Sequence, residues 1–181
     1  MRIFIGGVAC VGKTTIGARL ADFLKRRFYD LDAETERFFG ASIERLQNSH
    51  LVPNGFRRDV AKALQHVLSL EESRNGVIAL SPRGLMGPCW NVVQKAQDTV
   101  IIVLDDTPEN ILERVTFYDI DSRKIDKTLS DDERLLSLLI DDAVRTSLNN
   151  LVLEKKRDDR LAAGNEAVRF FARCSRNPHD H

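Results

Sequence analysis

Short apolar runs alternate along this chain with stretches in which apolar residues recur every three or four positions. Met1-Arg2-Ile3-Phe4-Ile5 reads as a buried strand, and Gly17 to Leu24 has helical spacing. Phe28-Tyr29-Asp30-Leu31-Asp32 is a second short strand that ends in carboxylates. Helices are predicted over Ala33–Phe39 and Ser42–Asn48, with a turn at Pro53-Asn54-Gly55. A long helix follows over Phe56–Leu70, with Val60, Ala63, Leu64, Val67 and Leu68 near one face. Gly76–Leu80 is apolar throughout, as a central strand is. Asn91–Ala96 is predicted helical and Thr99–Leu104 a fourth strand. Thr107 caps the next helix, with Pro108 in its first turn. Residues 118–129 are polar and aperiodic, as a mobile lid would be. Ser130-Asp131-Asp132-Glu133 starts a helix reaching Asn149. A fifth strand is expected at Leu151-Val152-Leu153 and a last helix over Ala162–Arg173. The alternation as a whole predicts an α/β fold around a parallel sheet.

Composition bounds this picture. The 181 residues suit one domain, expected over 1–175, with a frayed tail at 176–181. Lys plus Arg number 27 and Asp plus Glu 27, so the basic excess of a nucleic-acid binder is missing. No apolar run reaches the ~20 residues of a membrane span. The chain enters a strand at once, so no signal peptide is expected. Cys10, Cys89 and Cys174 are too scattered for a disulfide framework or a zinc site. The expectation is a cytoplasmic protein, monomeric, with no nucleic-acid or membrane partner.

One segment carries specific chemistry. Gly7-Val8-Ala9-Cys10-Val11-Gly12-Lys13-Thr14 is G-x-x-x-x-G-K-T between a strand and a helix. Such a loop turns its N–H groups inward and cages phosphate at the positive end of the helix. The nucleotide-binding residues are therefore Gly7, Cys10, Val11, Gly12, Lys13, Thr14 and Thr15. Lys13 reaches the β- and γ-phosphates of ATP, and the Thr14 hydroxyl holds Mg²⁺.

Asp30 and Asp32 lie at the carboxyl end of a strand, the edge at which open α/β sheets bind ligands. One suits Mg²⁺, the other a proton acceptor for an attacking hydroxyl. Arg57, Arg123 and Arg145 together suit a small anionic substrate, because a guanidinium fork pairs with carboxylate or phosphate. Arg83 brings a further cation to the same sheet edge.

This order of motifs resembles shikimate kinase, within the nucleoside-monophosphate-kinase-like P-loop kinases. The resemblance covers about residues 1–160. It rests on Gly7–Thr15, Phe28–Asp32, Gly55-Phe56-Arg57, Val77-Ile78-Ala79, Thr107 to Arg114, and Arg145-Thr146-Ser147-Leu148. It implies a three-layer sandwich with a five-stranded parallel sheet in the order 2-3-1-4-5. It implies ATP-dependent phosphorylation of shikimate, a step of aromatic amino acid biosynthesis. By resemblance, Asp30 holds Mg²⁺ with Thr14, and Asp32 binds substrate hydroxyls and acts as base. Arg57 and Arg145 clamp the substrate carboxylate, and Arg123 closes over the phosphates from the lid. The chain departs from the family where Cys10 replaces a glycine and where Ser81-Pro82-Arg83 replaces three glycines. Alternatives are a kinase of another small hydroxylated acid or of a nucleotide, and a non-catalytic nucleotide-binding regulator.

Overall fold

The computed structural model describes residues 1–115, 117–118, 123–125 and 169–173. Its elements in chain order are β1 (Arg2–Gly6), α1 (Lys13–Phe23), β2 (Phe28–Asp30), α2 (Leu31–Phe39), α3 (Ile43–Asn48) and α4 (Pro53–Ser69). A 3-10 turn (Glu71–Asn75) leads to β3 (Val77–Ala79), α5 (Gly87–Lys95), β4 (Thr99–Asp105) and α6 (Pro108–Arg114). Phe117–Tyr118 (β5) and Lys124–Ile125 (β6) form an antiparallel ribbon that overlaps the segment expected as a lid, 118–129.

The main sheet is parallel, in the order β2-β3-β1-β4. β1 is central, with Phe4 opposite Ile78 on one side and Ile101 on the other. Alternate residues of each strand leave on opposite faces, and two cores follow. Phe4, Ile78, Ile101 and Val103 pack under α4 and α5, beside Leu64 and Val67. Ile3, Ile5, Val77, Val100 and Leu104 pack with Ala21 of α1 and Ile111 of α6. Burial on both faces is why these strands read as unbroken apolar runs.

Arg169–Arg173 (β7) pairs parallel with β4 on the outer side. The expected helix over Ala162–Arg173 is thus corrected at its end. Pairing of Phe170 and Phe171 with the open edge of β4 overrides the local helical pattern. The Pro53-Asn54-Gly55 turn is also corrected, because these residues form the first turn of α4. Proline is well suited there, since its missing N–H would have no partner in the helix anyway. Ser42, expected inside the helix, instead caps α3 by accepting from Arg45 N. The expected helix over 130–149, the strand at 151–153 and the tail at 176–181 lie outside the described residues. Among the described residues, no helix is long and apolar enough to cross a membrane.

Candidate active site

The loop between β1 and α1 takes its shape from backbone conformations that few residues adopt. Gly7 has φ 141°, and a Cβ there would lie 2.7 Å from the Leu104 carbonyl oxygen and 2.8 Å from a Val11 methyl. Gly12 has φ 102° and begins α1. Val11 is 1% exposed and fills the underside of the loop. Gly7 and Val11 therefore build the loop, while Cys10, Gly12, Lys13, Thr14 and Thr15 line a cavity of about 610 Å³. Among the described residues no side chain caps α1, so its leading N–H groups are left for a ligand.

Lys13 is buried, and its Nζ donates to the Val8 carbonyl at 2.6 Å, across the mouth of the loop. Burial lowers its pKa to about 8, against the opposing pull of Asp32, Cys10 and Asp30. An anionic phosphate restores the charged form that burial disfavours. The Thr14 hydroxyl donates to Asp30 Oδ2 at 2.6 Å. Asp30 Oδ1 accepts from Asp32 N and Ala33 N and so caps α2. Thr14 and Asp30 are thus a hydroxyl and a fixed carboxylate side by side on the cavity wall. That pair suits Mg²⁺, which takes few protein ligands and completes its shell with phosphate and water. Among the described residues no cluster of three His, Cys, Asp or Glu holds a metal by itself.

Asp32 lines the same cavity. Burial raises its pKa, aided by the charges of Asp30 and Glu36 and opposed by Ser81 and Lys13. A carboxylate so placed accepts a proton more readily than an exposed one. The Ser81 hydroxyl is buried beside it and favours its charged form.

The arginines are not all gathered here. Arg57, half-buried on α4, lies outside the lining of this cavity. Its carbonyl accepts from the Cys89 thiol at 3.9 Å, and its charge and that of Asp32 both act on that thiol. Arg83 is exposed, with φ 62°, and is also outside the lining. Arg123 is exposed beside the β5–β6 ribbon. Arg145 lies outside the described residues.

Arg114 is a lining residue that sequence reasoning missed. Its Nε donates to the Cys10 carbonyl at 3.1 Å, and its Nη2 pairs with Asp106 Oδ2 at 2.5 Å. Asp106 Oδ1 also accepts from Thr107 N and Asn110 Nδ2, both at 2.8 Å. Burial opposes ionisation of Asp106, but these bonds and the Arg114 charge hold its carboxyl below the ordinary range. The signal was present in the Thr107–Arg114 segment, but only the fold shows that its last residue returns to the loop. A larger groove, about 960 Å³, runs between α4 and α5 and contains none of the loop residues, so volume alone does not mark the site.

A parallel sheet with a phosphate loop after its central strand and two carboxylates where β2 passes into α2 defines a P-loop phosphotransferase fold. The sequence pattern of the shikimate kinase family matches residues 9–169. Shikimate kinases of Nitrosospira multiformis and Caldanaerobacter subterraneus are 30% and 32% identical to this chain, over 166 and 114 residues. Those alignments cover 89% and 63% of this chain, and 80% and 64% of the relatives. A bifunctional shikimate kinase/3-dehydroquinate synthase of Thermotoga maritima is 32% identical over 116 residues, 64% of this chain and 22% of that protein. A shikimate kinase of Acinetobacter baumannii, solved in complex with shikimate, shares the fold. Its TM-score is 0.67 at 24% identity, over 97% of this chain and 84% of that one. The chain belongs to the shikimate kinase family, whose members are ATP-dependent phosphotransferases.

Proposed function

We propose that this protein transfers the γ-phosphate of ATP to a hydroxyl of shikimate. The observation that carries the reading is one cavity that holds Lys13, the Thr14–Asp30 pair and the recessed Asp32 carboxylate together. The loop N–H groups and Lys13 bind the β- and γ-phosphates. Thr14 and Asp30 hold Mg²⁺, which when bound offsets charge on the phosphates. Asp32 orients the attacking hydroxyl and accepts its proton. Arg57 and Arg145 pair with the acceptor carboxylate, and Arg83 adds a cation at the sheet edge. Arg123 approaches the phosphates as residues 118–129 close, which excludes water and limits wasteful hydrolysis of ATP. The finer fold assignment, a three-layer sandwich with strand order 2-3-1-4-5 and a closing lid, belongs to the same reading. So do a monomeric state and a reducing cytoplasm, which suits the free thiols Cys10 and Cys89.

A second acceptor is favoured by one observation. Arg83 occupies the left-handed region, where glycine is at ease, and Pro82 lines the cavity without an N–H to offer. That loop suits a small hydroxylated acid other than shikimate. The test is ATP turnover against shikimate and a panel of hydroxy acids, sugars and nucleoside monophosphates. Shikimate-dependent ADP release supports the main reading. Turnover confined to another acceptor replaces it, and no turnover with intact ATP binding leaves a nucleotide-binding regulator.

A further inference from the structure

The groove of about 960 Å³ between α4 and α5 shares no lining residue with the phosphate-loop cavity. It reaches Arg2 at the start of β1, whereas the loop follows the carboxyl end of that strand. Arg2, Arg58, Lys62, Arg74 and Lys95 line it, and among the described residues no carboxylate does. In a chain whose 27 basic and 27 acidic residues balance, that is a local concentration of one sign. Lys62 pairs with Asp59 at 2.8 Å and Arg74 with Glu71 at 3.1 Å, but both cations are well exposed and such pairs contribute little. Arg58 and Lys95 are exposed and have no ion pair among the described residues. Arg2 is held in place, its Nη2 donating to the Leu68 carbonyl at 2.9 Å.

Cations near a helix C-terminus offset its partial negative charge. That accounts for Lys95 in the last turn of α5 and for Arg2 at the end of α4. It does not account for Arg58 and Lys62, in the second and third turns of α4. The α4 lining runs from Arg58 to Ser69, about three turns or roughly 16 Å, too long for one small dianion to reach both ends. Leu68, Val92 and Ala96 are half-buried along the groove, so it also offers apolar surface. Among the described residues no aromatic side chain lines it, which leaves no platform for stacked bases. The ligand that matches is long, acidic on its flanks and apolar beneath, as an amphipathic helix is.

We propose that the α4–α5 groove docks an acidic amphipathic helix of a partner protein. Its apolar side rests on Leu68, Val92 and Ala96, and its carboxylates face Arg58, Lys62, Arg74 and Lys95. The inference is independent of which acceptor the phosphate-loop site takes.

The test is fluorescence anisotropy with a labelled synthetic peptide of about fifteen residues, leucine at every third or fourth position and glutamate on the flanks. A scramble of the same composition, without the leucine stripe, is the control. The parent should bind the peptide at least about tenfold tighter than the scramble, because only the peptide buries an apolar face. Arg58→Glu with Lys95→Glu should weaken binding about tenfold or more, since each reversal turns an attraction into a repulsion. Arg58→Gln with Lys95→Gln should weaken it a few-fold, and this pair guards against a folding defect in the reversed one. Raising NaCl from about 50 to about 300 mM should also weaken binding, because exposed charges are screened. Both variants should bind a fluorescent ATP analogue as the parent does. The inference is overturned if the parent binds peptide and scramble alike, if neither variant weakens binding, or if salt has no effect. A single-stranded oligonucleotide of equal charge that competes as well as the peptide assigns the groove to nucleic acid and overturns it. Self-association of the parent that the reversed pair abolishes in sedimentation assigns the groove to a second copy and also overturns it.

Discussion

Replacing Asp106 with alanine tests how the end of β4 supports the phosphate loop. Asp106 is 8% exposed and accepts three hydrogen bonds, from Thr107 N, Asn110 Nδ2 and Arg114 Nη2. The first two are neutral, worth about 0.5–1.5 kcal/mol each, and the third is charge-assisted, worth about 1.5–3. Arg114 is one-third exposed. Water therefore recovers part of its loss, and a net cost of about 2–4 kcal/mol is expected. For a domain of this size that is a fall in Tm of roughly 4–16 °C. Asp106→Asn keeps an oxygen for Thr107 N and should lose about half as much. The carboxyl is held below the ordinary range, so its contribution is full above the unfolded pKa and fades as pH falls through the folded one. The gap between parent and Asp106→Asn should thus be widest near neutral pH and close below about pH 4. A functional cost follows from the next link. Arg114, no longer anchored, releases the carbonyl of Cys10, a residue that stands at φ 57°. Affinity for ATP should fall several-fold. Urea unfolding followed by circular dichroism gives the stability arm, and titration of a fluorescent ATP analogue gives the other. A loss under about 0.5 kcal/mol, the level of an ordinary surface change, with unchanged nucleotide affinity would refute the coupling of α6 to the loop.

Lys13→Ala removes a charge-assisted phosphate contact and should weaken ATP binding roughly tenfold to a hundredfold, read by the same titration; equal affinity in both proteins would sink the nucleotide assignment. Asp32→Asn should lower turnover by about 10²–10⁴ with little change in ATP affinity, and parental turnover would make Asp32 structural. Cys10→Gly relieves a left-handed conformation, so Tm should hold or rise by a few degrees; a marked fall would show that the thiol packs where glycine leaves a hole. Burial pushes the Cys89 thiol up to about 11, so only about one in a thousand is ionised at pH 8. Iodoacetamide with peptide mapping should therefore label Cys10 well before Cys89, and ATP should protect Cys10, which lines the cavity; rapid labelling of Cys89 would refute its burial.

Much of the site was legible in the chain because it is local. Gly7 to Thr14 folds within a single strand–loop–helix unit, and Asp30 and Asp32 flank one junction. The strand expected to run to Asp32 stops at Asp30, however, and Asp32 sits in the first turn of α2, which Asp30 caps. The three inner strands β3, β1 and β4 were legible for a different reason, since burial on both faces leaves an uninterrupted apolar run. The start of α4 was misread because Pro-Asn-Gly favours turns as well as the first turn of a helix. Residues 169–173 were misread because their partner, β4, is 68 residues distant at Ile101 and Arg169. Helical spacing is a local property, and sheet pairing is not.

By itself, then, the sequence determined the α/β class, the phosphate loop and the family, all of which depend on short-range pattern. Only the tertiary structure decided which polar groups meet. It brought Arg114 back to Cys10 across 104 positions, and set Arg57 beside Cys89 rather than in the cavity lining. It also buried the Ser81 hydroxyl beside Asp32. Contacts of that kind depend on how layers pack around the sheet, and no spacing along the chain encodes them before the core has formed.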